Sequence, residues 1–129
     1  MPPLTLSLLP DSLAICRLPP DAPLPGWATA GGFCSLTRTM DELSIVCAQA
    51  NVPDGVQCDR DWQALKVEGP LDLSLVGIMA RLTAPLANAG VNIFAVSTYD
   101  TDYLLVKKDR VEEAARALNE AGYEIKRGA

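Results

Sequence analysis

Along the second half of the chain the apolar residues change their period at regular places. In WQALKVEG, residues 62–69, apolar and polar positions alternate, with Trp62, Ala64 and either Leu65 or Val67 available to a core before Gly69-Pro70 ends the run. That pattern predicts a strand. In LDLSLVGIMARLTAPLANAG the residues Leu75, Ile78, Leu82 and Leu86 recur at helical spacing. This predicts a helix with Asp72 or Ser74 as N-cap, Gly90 as its stop, and a kink at Pro85, whose ring removes a backbone donor. VNIFAVSTY and DYLLVK return to β-branched and aromatic runs, separated by a connection short enough for a hairpin with Asp100-Thr101 at its turn. DRVEEAARALNEAG then predicts a second helix. Asp109 and Glu112 form a capping-box-like pair, Val111, Ala114, Ala115 and Leu118 make the buried stripe, and Gly122 ends it. YEIK supplies a last short strand.

The resulting order, βαββαβ, is the split, ferredoxin-like arrangement of an α+β fold, with two helices on one face of an antiparallel sheet. The first half reads as an irregular copy of it. LTLSLLP at 4–10 and the hairpin FCSLTRTMDELSIVC at 33–47 precede their counterparts by about 60 residues, with Pro10 over Pro70 and LSIV over YLLV. Between them LAICRLPPDAPLPGWATAGG gives a strand and a proline-rich bend in place of a helix, and AQANVPDGVQCDRD reads as a linking loop. The expected organisation is therefore two modules in tandem, a helix-poor one over 1–61 and a complete one over 62–129. Strands 93–98 and 103–107 are apolar on both faces, so their second face needs a cover, either the first module or another chain.

Composition narrows the function. A net charge of −5 opposes binding to nucleic acid or an anionic membrane. No run approaches the roughly 18 apolar residues that cross a bilayer, and no basic segment precedes an apolar stretch at the start, so a cytoplasmic location is expected. The chain has no histidine, which removes the commonest general base and the mixed zinc sites. Cys16, Cys34, Cys47 and Cys58 form no C-x-x-C and are expected as ordinary buried thiols. No cofactor, metal or catalytic residue is expected.

The segment from KVEGPLD through VGIMARLTAPLANAGVNIF to STYDTDYLLVKKD resembles the ACT domain, a small-molecule-binding βαββαβ module. The combination of SLTRTMDELSIVC with STYDTDYLLV is similar to small bacterial tandem-ACT proteins and to the ACT modules of the animal cytosolic arginine sensors. The resemblance implies two ACT-like modules, a regulatory protein binding a free amino acid at a contact between modules, and a homodimer that signals to a regulated protein. Carried over position by position, it points to Asp72, Gly77 and Ile78 in the loop and helix start, and to Thr98, Tyr99 and Asp102 around the hairpin. Helix-start amides suit a ligand carboxylate and a nearby acid suits its ammonium. Strand alternation puts Tyr99 opposite Asp102, on one face with Ser97 and Leu104, while Asp100 points to solvent.

The same residues have plain structural roles: Asp72 as a cap, Asp100 and Asp102 as turn residues, Gly77 as a helix-contact residue. Two other functions share the fold. One is an interaction module whose ligand site has decayed. The other is a small acylphosphatase-like enzyme, which needs an arginine cradle in the first loop, where GPLDLS offers none.

Overall fold

The computed structural model describes residues 4–69 and 76–127. In chain order the strands are β1 (Thr5–Leu8), β2 (Leu13–Leu18), β3 (Ser35–Arg38), β4 (Leu43–Ala48), β5 (Cys58–Val67), β6 (Phe94–Ser97), β7 (Asp102–Lys107) and β8 (Glu124–Arg127). The helices are α1 (Ile78–Asn88) and α2 (Val111–Glu120), and short 3₁₀ turns occupy Gly26–Thr29, Gln49–Asn51 and Lys108–Arg110. The chain divides into two compact units. One is Asp11–Trp62; the other joins the residues up to Pro10 to those from Gln63 onward.

The Asp11–Trp62 unit carries the strand order β3-β4-β2-β5. Its ladders are antiparallel, with Cys16 opposite Ile45 and Leu36 opposite Ile45 from the other side. This is the ferredoxin-like order with its two helices reduced to 3₁₀ turns. Pro19, Pro20, Pro23 and Pro25 explain the first reduction, because proline lacks the amide a helix interior needs. Ala14, Cys16, Leu43, Ile45 and Cys47 form the sheet side of the core, closed by Ala28 and Val52.

The second unit is a complete βαββαβ with one addition. Its strands run β6-β7-β5-β1-β8. β1 lies antiparallel to β5, with Leu6 opposite Val67, and parallel to β8, with Leu6 opposite Ile125. The sequence pattern assigned residues 4–10 to the first module as the counterpart of 62–69. Leu6 is instead fully buried among Leu65, Val67, Leu82 and Leu118, and the strand opening the other unit is β2. β5 also starts earlier than its alternation predicts, inside the expected linker. A register shift in its pairing with β2 interrupts the pattern, and Asp61 takes a positive φ of 67°. Gln49 clamps that residue: its Oε1 accepts from the Asp61 amide at 2.6 Å and its Nε2 donates to Asp61 Oδ1 at 2.9 Å.

Both helices end alike. Gly90 and Gly122 adopt φ of 74° and 97°. Their amides and those of Val91 and Tyr123 close on the carbonyls of Ala87, Leu86, Asn119 and Leu118 at 2.9–3.0 Å. These are Schellman caps that satisfy the last carbonyls. The helix starts differ from expectation. α1 begins at Gly77, in the left-handed region at φ 82°, and the expected cap residues Asp72 and Ser74, with Leu75, lie outside the described residues. No capping box forms at α2, because Asp109 lies in the preceding 3₁₀ turn and Arg110 occupies the cap position. Glu112 instead pairs with Arg127 of β8 at 2.6 Å, and this hydrogen-bonded guanidinium holds its carboxyl below the usual range.

α1 runs through Pro85 without a break. The proline withholds the amide that Arg81 C=O would accept, and the Tyr123 hydroxyl donates to that carbonyl instead, at 3.4 Å. Leu104, Leu105 and Val106 of β7 are all fully buried, so this strand is covered on both faces. Among the described residues no helix is long and apolar enough to cross a membrane.

Candidate functional site

The end of β5 and the β6–β7 turn meet at one edge of the second unit. β7 pairs with both β5 and β6, so the turn that opens β7 falls where β5 ends. The ladder between β6 and β7 pairs Phe94 with Leu105, Val96 with Tyr103 and Ser97 with Asp102. The connection is thus four residues, 98–101, and Tyr99 does not stand opposite Asp102 as alternation through a shorter turn predicts. Ser97 stands there, its hydroxyl donating to Asp102 Oδ1 at 2.7 Å.

Thr98 closes the turn. Its amide donates to Thr101 C=O at 2.8 Å, and its hydroxyl oxygen accepts from the Thr101 amide at 3.3 Å. Thr101, only 5% exposed, then docks the turn onto β5: its hydroxyl donates to Val67 C=O at 2.6 Å. Tyr99 is 80% exposed on the tip between them.

This docking leaves a cleft of about 130 Å³ lined by Lys66, Gly69, Asp100 and Thr101. Thr101 forms its buried base, Lys66 is half-buried, and Gly69 and Asp100 stand at the open rim. Alternation explains the placement of Lys66: its neighbours Leu65 and Val67 enter the core beneath the helices, which turns the lysine to the other face. Asp102 shares a face with Leu104 and Val106, which belong to that same core. Asp100 therefore, and not Asp102, is the carboxylate that lines the cleft, exposed to solvent at its rim. Among the described residues neither Lys66 nor Asp100 is engaged in an ion pair. The cleft thus carries one cationic and one anionic group.

The residues expected from the resemblance separate into three groups. Thr98, Tyr99 and Asp102 lie on or beside the turn that supplies Asp100 and Thr101. Gly77 and Ile78 start α1; a Cβ on Gly77 would meet nothing within 4 Å, so its glycine answers to the positive φ, while Ile78 is buried in the core. Asp72 lies outside the described residues. Sequence reasoning missed Lys66, Gly69 and Thr101. The available signal was a lysine inside the otherwise apolar run ALKV.

Over residues 57–120 the chain matches the ACT domain family, and over residues 11–55 a family of N-terminal domains. The crystal structure of protein Atu0741 from Agrobacterium tumefaciens is 40% identical and superposes with a TM-score of 0.94, over 100% of this chain and 96% of that one. The human protein CASTOR3P is 29% identical over 89 residues, 59% of this chain and 55% of the human one, so the chain spans about half the length of this curated relative. At 16% identity, the regulatory subunit of aspartate kinase from Thermus thermophilus shares the fold, with a TM-score of 0.63 over 91% of this chain and 96% of its own. By the ACT match and a likeness running the whole length of Atu0741, the chain belongs to the ACT-domain family.

Proposed function

We propose that this protein is a non-catalytic sensor of a free amino acid, held in the cleft between the end of β5 and the β6–β7 turn. The observation that carries the reading is the presence of Lys66 and Asp100 on the two walls of one cleft. A zwitterion needs a cation for its carboxylate and an anion for its ammonium a few ångströms apart, and charge-assisted hydrogen bonds to such groups are among the stronger polar contacts. Thr101 adds a polar floor and Gly69 leaves the rim without a side chain. The volume, about 130 Å³, is close to the roughly 150 Å³ cavity that accepts benzene and below the ~300 Å³ of drug-sized sites. It suits an amino acid with a small side chain.

In this reading Asp102 supports the site through Ser97, and Thr98 and Tyr99 shape the turn. A site on the helix side of the sheet, at the start of α1 by Gly77 and Ile78, is the alternative that the resemblance implies. The protein acts in the cytoplasm as a homodimer and passes its signal to a regulated protein.

A thermal-shift screen of the full chain with the twenty amino acids tests the proposal. A ligand at about 100 times its dissociation constant adds roughly 2.7 kcal/mol of stability. One or a few small amino acids are expected to raise Tm, and calorimetry should show Lys66→Ala and Asp100→Asn each weakening binding by about 1.5–3 kcal/mol with the fold intact. Loss at Asp102→Asn with none at Asp100→Asn would move the site to the helix side of the sheet. No shift with any amino acid would overturn the sensor reading in favour of an interaction module.

A further inference from the structure

A group of thiol side chains lies in the Asp11–Trp62 unit. All four cysteines are free thiols, Cys16 and Cys47 buried, Cys58 half-buried and Cys34 exposed. In the ladder between β2 and β5, Cys16 stands directly opposite Cys58. Opposed residues of antiparallel strands point to the same face with Cα atoms about 4.5–5.5 Å apart, within the roughly 4.4–6.8 Å that a disulfide spans. Both side chains join the core formed by Ala14 and Ile45. Cys47, on the strand flanking β2 from the other side, is opposite Ala14 and so only diagonal to Cys16.

We propose that Cys16 and Cys58 form a modification site, a cross-strand dithiol that a low-molecular-weight disulfide converts to a protein disulfide. Cys58 is the entry point because it alone of the pair reaches solvent. Its thiolate attacks one sulfur of the small disulfide, a thiolate leaves, and a mixed disulfide remains on Cys58. Cys16 then gives its proton to the medium and attacks the Cys58 sulfur, the Cys16–Cys58 bond forms, and the second small thiol departs. Two electrons pass from the cysteine pair to the small disulfide, which ends as two thiols. Burial, ahead of the neighbouring thiols, pushes the Cys16 thiol up to about 12, which makes the second step the slow one. The bond closes a loop holding the whole β3–β4 hairpin, which restricts the unfolded chain.

Incubating the full chain with oxidised glutathione in mildly alkaline buffer, followed by peptide mapping without reductant, tests this. The expected result is loss of one pair of free thiols, a crosslinked peptide containing Cys16 and Cys58, and a higher urea midpoint that dithiothreitol reverses. Cys58→Ser, at a position that tolerates a hydroxyl, should lose the crosslink, and Cys47→Ala should keep it. A persistent glutathione adduct on Cys58 with Cys16 free, a bridge mapping to Cys34 or Cys47, or no consumption of thiols would each overturn the proposal.

Discussion

Thr39 and Thr98 close their hairpins by the same device. In TMDE the Thr39 amide donates to Glu42 C=O at 2.9 Å and its hydroxyl oxygen accepts from the amides of Asp41 and Glu42 at 3.1 and 3.2 Å. In TYDT, Thr98 repeats these contacts with Thr101. Each turn lifts one large residue into solvent, Met40 at 94% exposure and Tyr99 at 80%. The duplication is thus preserved in side-chain chemistry where the surrounding elements have diverged. Thr101 has no such twin in its second role, since its buried hydroxyl satisfies Val67 C=O. Thr101→Val should therefore destabilise the protein by about 1–3 kcal/mol in urea denaturation, the cost of a buried carbonyl left without a donor. Thr101→Ser should recover most of it; equal losses would mean that packing, not the hydrogen bond, matters there. The hairpin was legible in the sequence because its flanking strands are apolar and its turn polar. Which acid lines the cleft was not, because a two-residue and a four-residue turn both keep Ser97, Asp102 and Leu104 on one face, and the docking of the turn on β5 through Thr101 is a contact between residues distant in sequence.

At the scale of elements, spacing was the reliable guide and caps were not. Ile78, Leu82 and Leu86 recur at a helical period and are all buried, as are Val111, Ala114, Ala115 and Leu118. A helix interior is dictated by one repeated requirement, burial of a stripe. Its start depends on single residues whose partners are distant in sequence, which is why Glu112 pairs with Arg127 and not with a cap. β5 was cut short in the reading for a related reason: the register shift and the positive φ of Asp61 interrupt alternation, and the clamp by Gln49 is a tertiary contact. Pro85 is the clearest case, for the carbonyl it strands is met by a tyrosine from beyond the other helix. Tyr123→Phe should cost about 0.5–1.5 kcal/mol in the native background. In a Pro85→Ala background, where the alanine amide serves Arg81 C=O, the same change should cost close to nothing. A double-mutant cycle by chemical denaturation measures that difference, and additive costs would show that Tyr123 acts through packing alone.

For the whole molecule the unexpected member is β1, which precedes the Asp11–Trp62 unit in sequence yet completes the sheet of the other. Its four residues gave no hint of this, since an isolated TLSL run fits the edge of either sheet. Leu6 is fully buried, and Leu6→Ala should destabilise the protein by about 2–5 kcal/mol, read from a urea midpoint. Hydrogen exchange should locate the loss: faster exchange in β5, β8 and α1 is expected, whereas a change confined to β2–β4 would contradict the pairing of β1. The position of this strand also sets an order of events during translation. β1 is made before both of its neighbours, and of these β5 precedes both helices while β8 follows them. At about 5–20 residues per second, the interval between completing Trp62 and completing Arg127 lasts several seconds. Through most of that interval β1 can pair with β5, but its other edge has no β8 to meet. The nascent chain thus presents one open strand edge, along β1, to a chaperone or to the same strand of a neighbouring chain.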